Sequence, residues 1–204
     1  MFQRKSLFLP LLIALWLSLC IFGLYKLAIY EHTPALAKNG PTMWPDVGLA
    51  KGPGYTLVLS IHPQCPCTRA TLQELAIALT HCPNLQAYLL FIEPEGVGET
   101  WVKSDLWSTC TTFPRCSLLV DKAGKLSAAF SAHTSGQSYL YDPAGQLIYS
   151  GGITQSRGHA GDNEGLNAII ALANREKSTV KNKPVFGCSL FSDGAVCQNK
   201  SGNQ

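Results

Sequence analysis

Two cysteines separated by one proline, Cys65-Pro66-Cys67, stand between an apolar run and a helical pattern. A pair of thiols so placed can exchange disulfides or hold a soft metal ion. With Cys65 as the helix cap, Pro66 falls at the first helical position, where its missing N–H costs nothing and its fixed φ suits a helix. The Cys65 sulfur then faces unpaired backbone N–H groups and the positive end of the helix dipole, which favour thiolate over thiol. Cys67, two residues on, is the expected resolving partner. A disulfide across Cys-x-Cys closes a tighter ring than one across Cys-x-x-Cys, and strained disulfides are more easily reduced. A cycling pair is therefore expected to act as an oxidant or isomerase. His62 is a nearby imidazole, placed either to support a thiolate or to cap the end of a strand.

The flanking sequence supplies the elements that must hold these sulfurs. YTLVLSI (55–61) is apolar nearly throughout and bounded by Gly54 and Pro63, which predicts a strand buried on both faces. Leu72, Leu75, Ala76 and Leu79 then recur at helical spacing, with Arg69, Gln73 and Glu74 elsewhere on the cylinder, until Cys82-Pro83-Asn84 ends the helix. LQAYLLFI (85–92) is the next strand, completing a βαβ unit with a right-handed crossover. A helix over 99–110, a strand over 116–120 and a short helix over 124–130 follow. Runs 137–142 and 146–151 flank Pro143-Ala144-Gly145 as a hairpin, and 164–175 form a closing amphipathic helix capped by Asp162 or Asn163. The polar stretch 151–163 reads as a solvated loop, or alternatively as one presenting Arg157 and His159 to a ligand. The whole describes an α/β sandwich, a mixed sheet with helices on both faces.

The N-terminus places that domain. Leu7 to Tyr25 carry no charged residue, and nineteen residues of helix reach about 28 Å, the thickness of a bilayer core. The Ala35-Leu36-Ala37 pattern lies too far on for ordinary signal cleavage, and Leu19 stands where a lipoprotein signal before Cys20 needs a small residue. A retained single-pass anchor is favoured over a cleaved segment. Arg4 and Lys5 before the span, against Lys26 after it, put the N-terminus in the cytoplasm. Seven of the eight cysteines lie beyond the span, as suits an oxidising compartment. A net charge of +3 without a basic stripe gives no reason to expect nucleic acid.

The segment Ile61 to Thr71, closing a strand and opening a helix around Cys-Pro-Cys, resembles the thioredoxin superfamily, and in detail the membrane-anchored bacterial proteins often labelled RedB. Asp121 to Gly124, Phe130 to Ala132, Tyr139 to Asp142 and Gly145 are similar to the second half of periplasmic thioredoxin-like domains. The resemblance covers roughly 55–175. It implies a thioredoxin-like domain over 55–178, preceded by a cytoplasmic tail (1–6), a transmembrane anchor (7–25) and a tether (26–54), and followed by a cysteine-containing tail (179–204). Where thioredoxins carry a proline beside the dithiol, this chain reads His133-Thr134-Ser135-Gly136-Gln137, so Gly136 joins His62 and Pro66 as an expected supporting residue. The implied function is a periplasmic, inner-membrane thiol–disulfide oxidoreductase with Cys65 and Cys67 as catalytic residues and no cofactor. Its partners would be cysteine-containing envelope proteins or a membrane redox relay. A second resemblance, to Sco-like copper chaperones, implies a copper site of Cys65, Cys67 and His133; a third reading is a thioredoxin-like module that only binds partners. Cys188 and Cys197 read either as a local disulfide or, since RedB-like proteins share the stretch Pro184 to Cys188, as a tail folding back so that Cys188 exchanges with the dithiol. Cys82, Cys110 and Cys116 read as buried free thiols, with a Cys110–Cys116 bridge as the alternative.

Overall fold

The computed structural model describes residues 3–191, so Cys197 lies outside the described residues. The chain divides into two compact units, Met1–Thr33 and Pro34–Gln204. The first holds one helix, α1 (Gln3–His32). Its segment Phe8–His32 has a mean hydropathy of 2.2, long and apolar enough to cross a membrane. The helix runs past Tyr25, the expected end of the span, because Leu27 to Tyr30 continue the apolar surface and nothing breaks the backbone before Pro34.

The second unit is built on β1 (Tyr55–Ile61), α2 (Thr68–His81), β2 (Leu85–Glu93), α3 (Glu99–Val102), α4 (Asp105–Cys110), β3 (Cys116–Lys122), α5 (Lys125–Ala129), β4 (Ser138–Tyr141), β5 (Leu147–Gly151), α6 (Glu164–Ala173) and β6 (Asn182–Lys183). The six strands form one sheet in the order β3-β2-β1-β4-β5-β6. β1 pairs parallel with β2 and antiparallel with β4, so it lies inside the sheet and both its faces are covered. Leu57, Leu59 and Ile61 face one core with Leu72, Leu75 and Leu79 of α2 and Leu166 and Ile169 of α6. Val58 faces the other core with Leu90, Phe130, Tyr139 and Tyr141. Each such fully buried aliphatic side chain contributes about 1.5–3 kcal/mol, and together they fix the point where β1 ends.

Two departures from the sequence reading have local causes. The helix expected over 99–110 is broken in two at Lys103-Ser104, where Lys103 leaves helical geometry at ψ 55° and the extended Ser104 caps α4. Residues 34–54, expected as part of a tether, instead lie against the domain. Trp44 packs edge-on against Phe130 and Tyr141, with ring centroids 5.3 and 5.1 Å away, and its indole N–H donates to the Leu49 carbonyl at 2.9 Å. The Tyr141 hydroxyl donates to the Pro41 carbonyl at 3.0 Å, and the Leu147 N–H to the Thr42 carbonyl at 2.8 Å. This segment therefore covers the sheet face that the short α5 leaves open. Trp44→Ala is expected to lower the unfolding free energy of the full chain by about 3 kcal/mol, the low end for a large aromatic because Trp44 is half-buried. Urea unfolding in detergent measures it.

Candidate active site

β1 ends at the middle of the sheet, and its last hydrogen bonds hold a second loop beside it. The Gly136 N–H donates to the Ser60 carbonyl at 2.8 Å, and the Ser60 N–H to the Gln137 carbonyl at 3.1 Å. Gly136 sits in the left-handed region at φ +89°, and a Cβ there would stand 3.1 Å from the Thr71 hydroxyl of α2. Strain and space together favour glycine at this turn. Ser135, 1% exposed, links the two loops: its hydroxyl accepts from the His62 N–H at 2.9 Å and lies 2.8 Å from the Thr68 hydroxyl.

The cysteine turn begins three residues earlier than the helix proper. The Thr68 N–H donates to the Cys65 carbonyl at 3.2 Å and the Arg69 N–H to the Pro66 carbonyl at 3.4 Å, three-residue spacings that make a tight turn of 65–68. α2 starts at Thr68, and Cys67, not Cys65, is its cap. This corrects the expected register, in which Cys65 capped the helix and Pro66 opened it. The reason is that the Cys65 and Pro66 carbonyls accept bonds from three residues on, so the regular helical ladder starts later. Pro66 is exposed on the turn, where it needs no donor.

Cys65 is wholly buried, and its sulfur is ringed by donors. The Cys188 thiol donates to it, as do the Thr68 hydroxyl and the N–H groups of Cys188 and Cys67; against the opposing effect of burial they bring the Cys65 thiol down to about 4. The thiolate therefore predominates at neutral pH. Cys67 behaves in the opposite way: burial and the neighbouring Cys65 charge push its thiol up, partly offset by Arg157. Cys188 is also pushed up, first by its hydrogen bond to Cys65 and then by burial. His62 is pushed down by burial, with the Cys65 charge opposing, and its ring sits edge-on to Trp101 at 5.4 Å. A neutral imidazole beside the thiolate adds no second charge to the pocket.

The structure thus brings together Cys65, Cys67, Cys188, His62 and Pro66 beside the loop of Gly136. His133 is not part of the group. Its ring lies 6.2 Å from that of Phe191 and its N–H donates to the Gln137 side chain at 3.0 Å. Among the described residues no three His, Cys, Asp or Glu side chains are arranged to hold a metal ion, so the expected copper set of Cys65, Cys67 and His133 does not assemble. All seven described cysteines carry free thiols; Cys110 and Cys116 are unbridged, and burial pushes them up to about 12 and about 11.

Two residues were given other roles by the sequence. Glu74, placed with the polar residues outside the apolar face of its helix, is fully buried. Its carboxylate accepts from the Gly161 N–H at 2.6 Å and the Asn163 side chain at 3.3 Å, tying the 151–163 loop to α2. That loop carries Arg157, whose guanidinium donates to the Gly187 carbonyl and lies close enough to favour the charged forms of Cys67 and Cys188. The one sequence signal was an acidic residue directly before Leu75 of the apolar stripe, with a glycine-rich loop in need of an anchor. Glu74→Ala is expected to lower stability by about 1–2 kcal/mol, because it removes the acceptor of the Gly161 N–H and one of the two acceptors of the buried Asn163 side chain. A thermal melt of the variant checks this. Asn163 itself caps α6, accepting from the Leu166 N–H at 2.7 Å.

A dithiol turn between a central parallel strand and the following helix, beside the loop that opens an antiparallel hairpin, decides the architecture. The fold is thioredoxin-like. Solved structures share it: an uncharacterised conserved protein from Geobacillus kaustophilus is 18% identical with a TM-score of 0.56, over 81% of this chain and 96% of that one. A hypothetical protein from Sinorhizobium meliloti is 18% identical with a TM-score of 0.52, over 78% and 96%. A weaker likeness, below the level that shows a shared fold, is to a secreted Mycobacterium tuberculosis disulfide oxidoreductase, 14% identical with a TM-score of 0.44, over 58% and 81%. No protein-family model and no curated protein matches the chain. Within this thioredoxin-like frame, the strand before Cys65 stands where the sequence placed it, the helix after it starts two residues later than expected, and the third sulfur comes from the C-terminal segment.

Proposed function

We propose that this protein is a membrane-anchored thiol–disulfide oxidoreductase of oxidant or isomerase type, working outside the cytoplasm with Cys65 as its nucleophile. The observation that carries the reading is the ring of four donors around the Cys65 sulfur, which makes it a thiolate at neutral pH. Stabilising the thiolate stabilises the reduced protein, so a disulfide made by Cys65 is a strong oxidant. Two further thiols, Cys67 and Cys188, stand within reach to receive a mixed disulfide. The apolar helix and the weight of Arg4 and Lys5 before it support an inner-membrane anchor with the domain in the periplasm. The substrates in this reading are cysteines of envelope proteins, with recharging by a disulfide of a membrane relay. A module that only binds partners has no use for a buried sulfur held as an anion.

The test is equilibration of the full chain with glutathione buffers of graded potential, followed by acid quenching and thiol counting. The expected result is a two-electron transition at a potential well above that of thioredoxin-like reductants, which poise near about −270 mV. Absence of any exchange across the range would reject the reading.

A further inference from the structure

The segment Val185–Leu190 lies over the cysteine turn like an added strand. The Ala35 N–H donates to the Val185 carbonyl at 2.9 Å, the Ser135 N–H to the Cys188 carbonyl at 2.8 Å, and the Leu190 N–H to the His133 carbonyl at 2.9 Å. Thr134 and Ser189 form an antiparallel bridge. Val185, 1% exposed, and Leu190, 4% exposed, anchor the two ends in the core. Between them Gly187 passes so close to the 133–137 loop that a Cβ would stand 1.9 Å from the Ser135 carbonyl oxygen. The same segment explains why Cys65 has no exposed surface although its neighbours Gln64 and Pro66 are both exposed.

We infer that Cys188, rather than Cys67, is the resolving cysteine, so that the working disulfide is Cys65–Cys188 and closes across the groove between the cysteine turn and the C-terminal segment. This rests on the oxidoreductase reading and adds the identity of its second sulfur. Cys65 and Cys67 are two residues apart on a hydrogen-bonded turn, and although the Cys67 side chain reaches the Cys65 sulfur, a disulfide between them closes a tight, strained ring. Joining them puts that strain on the turn at the head of α2. Cys188 arrives from the separate 185–190 segment, with its backbone already bonded to Ser135 and its side chain toward Cys65, and a disulfide to it closes no such tight ring.

The chemistry balances with these groups alone. The 187–190 strand lifts, and the Cys65 thiolate attacks a substrate disulfide; a Cys65–substrate S–S bond forms and the first substrate sulfur leaves as a thiolate that takes a proton from water. The strand returns, Cys188 loses its proton to solvent and attacks the Cys65 sulfur, and the second substrate sulfur leaves and is protonated. The substrate disulfide gains two electrons and the Cys65/Cys188 pair loses two. Run in reverse, the Cys65–Cys188 disulfide oxidises a substrate dithiol, and an external disulfide donor of the relay restores it.

The experiment uses the full chain in detergent with Cys197→Ser, so that Cys188 is the last cysteine. Reduced protein is mixed with glutathione disulfide, quenched in acid at intervals and read by intact mass and peptide mapping. The expected result is a short-lived glutathione adduct on Cys65, then a link between the Cys65 segment and the Cys188 segment. In Cys188→Ser the adduct should persist, with release slowed about 100-fold, since a tethered thiol at high effective concentration has been removed. The mapping needs no change at residues 65, 67 or 188, so it stands even if Cys188→Ser folds poorly. Adduct release at the parent rate in Cys188→Ser, or a link confined to the Cys65–Cys67 peptide, overturns the assignment while leaving the oxidoreductase reading intact. If the parent forms no adduct on any cysteine, the oxidoreductase reading itself fails and this one with it.

Discussion

Cys65→Ser removes thiol–disulfide exchange, a fall on the order of 10³-fold or more in the rate of adduct formation with glutathione disulfide at pH 7. The size follows from the distribution of charge among the sulfurs. Among the described thiols whose shift is resolved, Cys65 alone is lowered; burial raises Cys67, Cys82, Cys110 and Cys116, and hydrogen bonding to Cys65 raises Cys188. Because the thiolate is the attacking species, these five sulfurs are poor substitutes. Removing Cys65 also removes the charge that raises Cys67 and Cys188, so a modest slow reaction of those thiols is the expected residue. Stopped-flow or quenched-mass measurement of the first adduct gives the ratio directly.

The second large effect is a pH dependence of stability in the reduced protein. The Cys65 thiol is at about 4 in the fold against an ordinary 9.0, so between these values the unfolded chain binds a proton that the folded chain does not. Stability from this group is complete above about 9, declines as pH falls, and is lost below about 4. Reduced protein should therefore be more stable at pH 8 than at pH 5, by up to about 4 kcal/mol at the full slope of 1.36 kcal/mol per pH step. His62 and His133, both lowered by burial, act with the same sign below their ordinary value of 6.5, and Asp121, raised by burial, acts with the opposite sign in acid. Cys65→Ser keeps His133 and Asp121 and loses the thiolate together with its charge on His62, Cys67 and Cys188, so the difference between the two pH profiles reads Cys65 and the groups it acts on. Denaturant unfolding of both proteins at the two pH values makes the comparison.

The parts of this site that were legible in the sequence are those fixed by near neighbours. The run 55–61 and the spacing of Leu72, Leu75 and Leu79 specify β1 and α2 because both faces of the strand and one stripe of the helix must be apolar. The cysteine turn between them then has its place. What the sequence did not reveal was decided by distant contacts. Residues 34–54 look like a tether because they lack any apolar period, yet Trp44 finds an aromatic pocket made by Phe130 and Tyr141. Glu74 looks solvent-facing by local pattern and is buried because a loop nearly ninety residues on supplies its donors. Arg157 has no motif around it; its position follows from that same carboxylate. His133 has the right residue type for a metal ligand, but Phe191 and Gln137 take its ring and backbone elsewhere.

The central claim is that Cys65 is an anion held by its surroundings, and the thiolate absorbance of the reduced full chain, titrated against pH and corrected with Cys65→Ser, tests it most directly. The account predicts a Cys65 midpoint at about 4. A midpoint near the ordinary thiol value of 9.0 would contradict it.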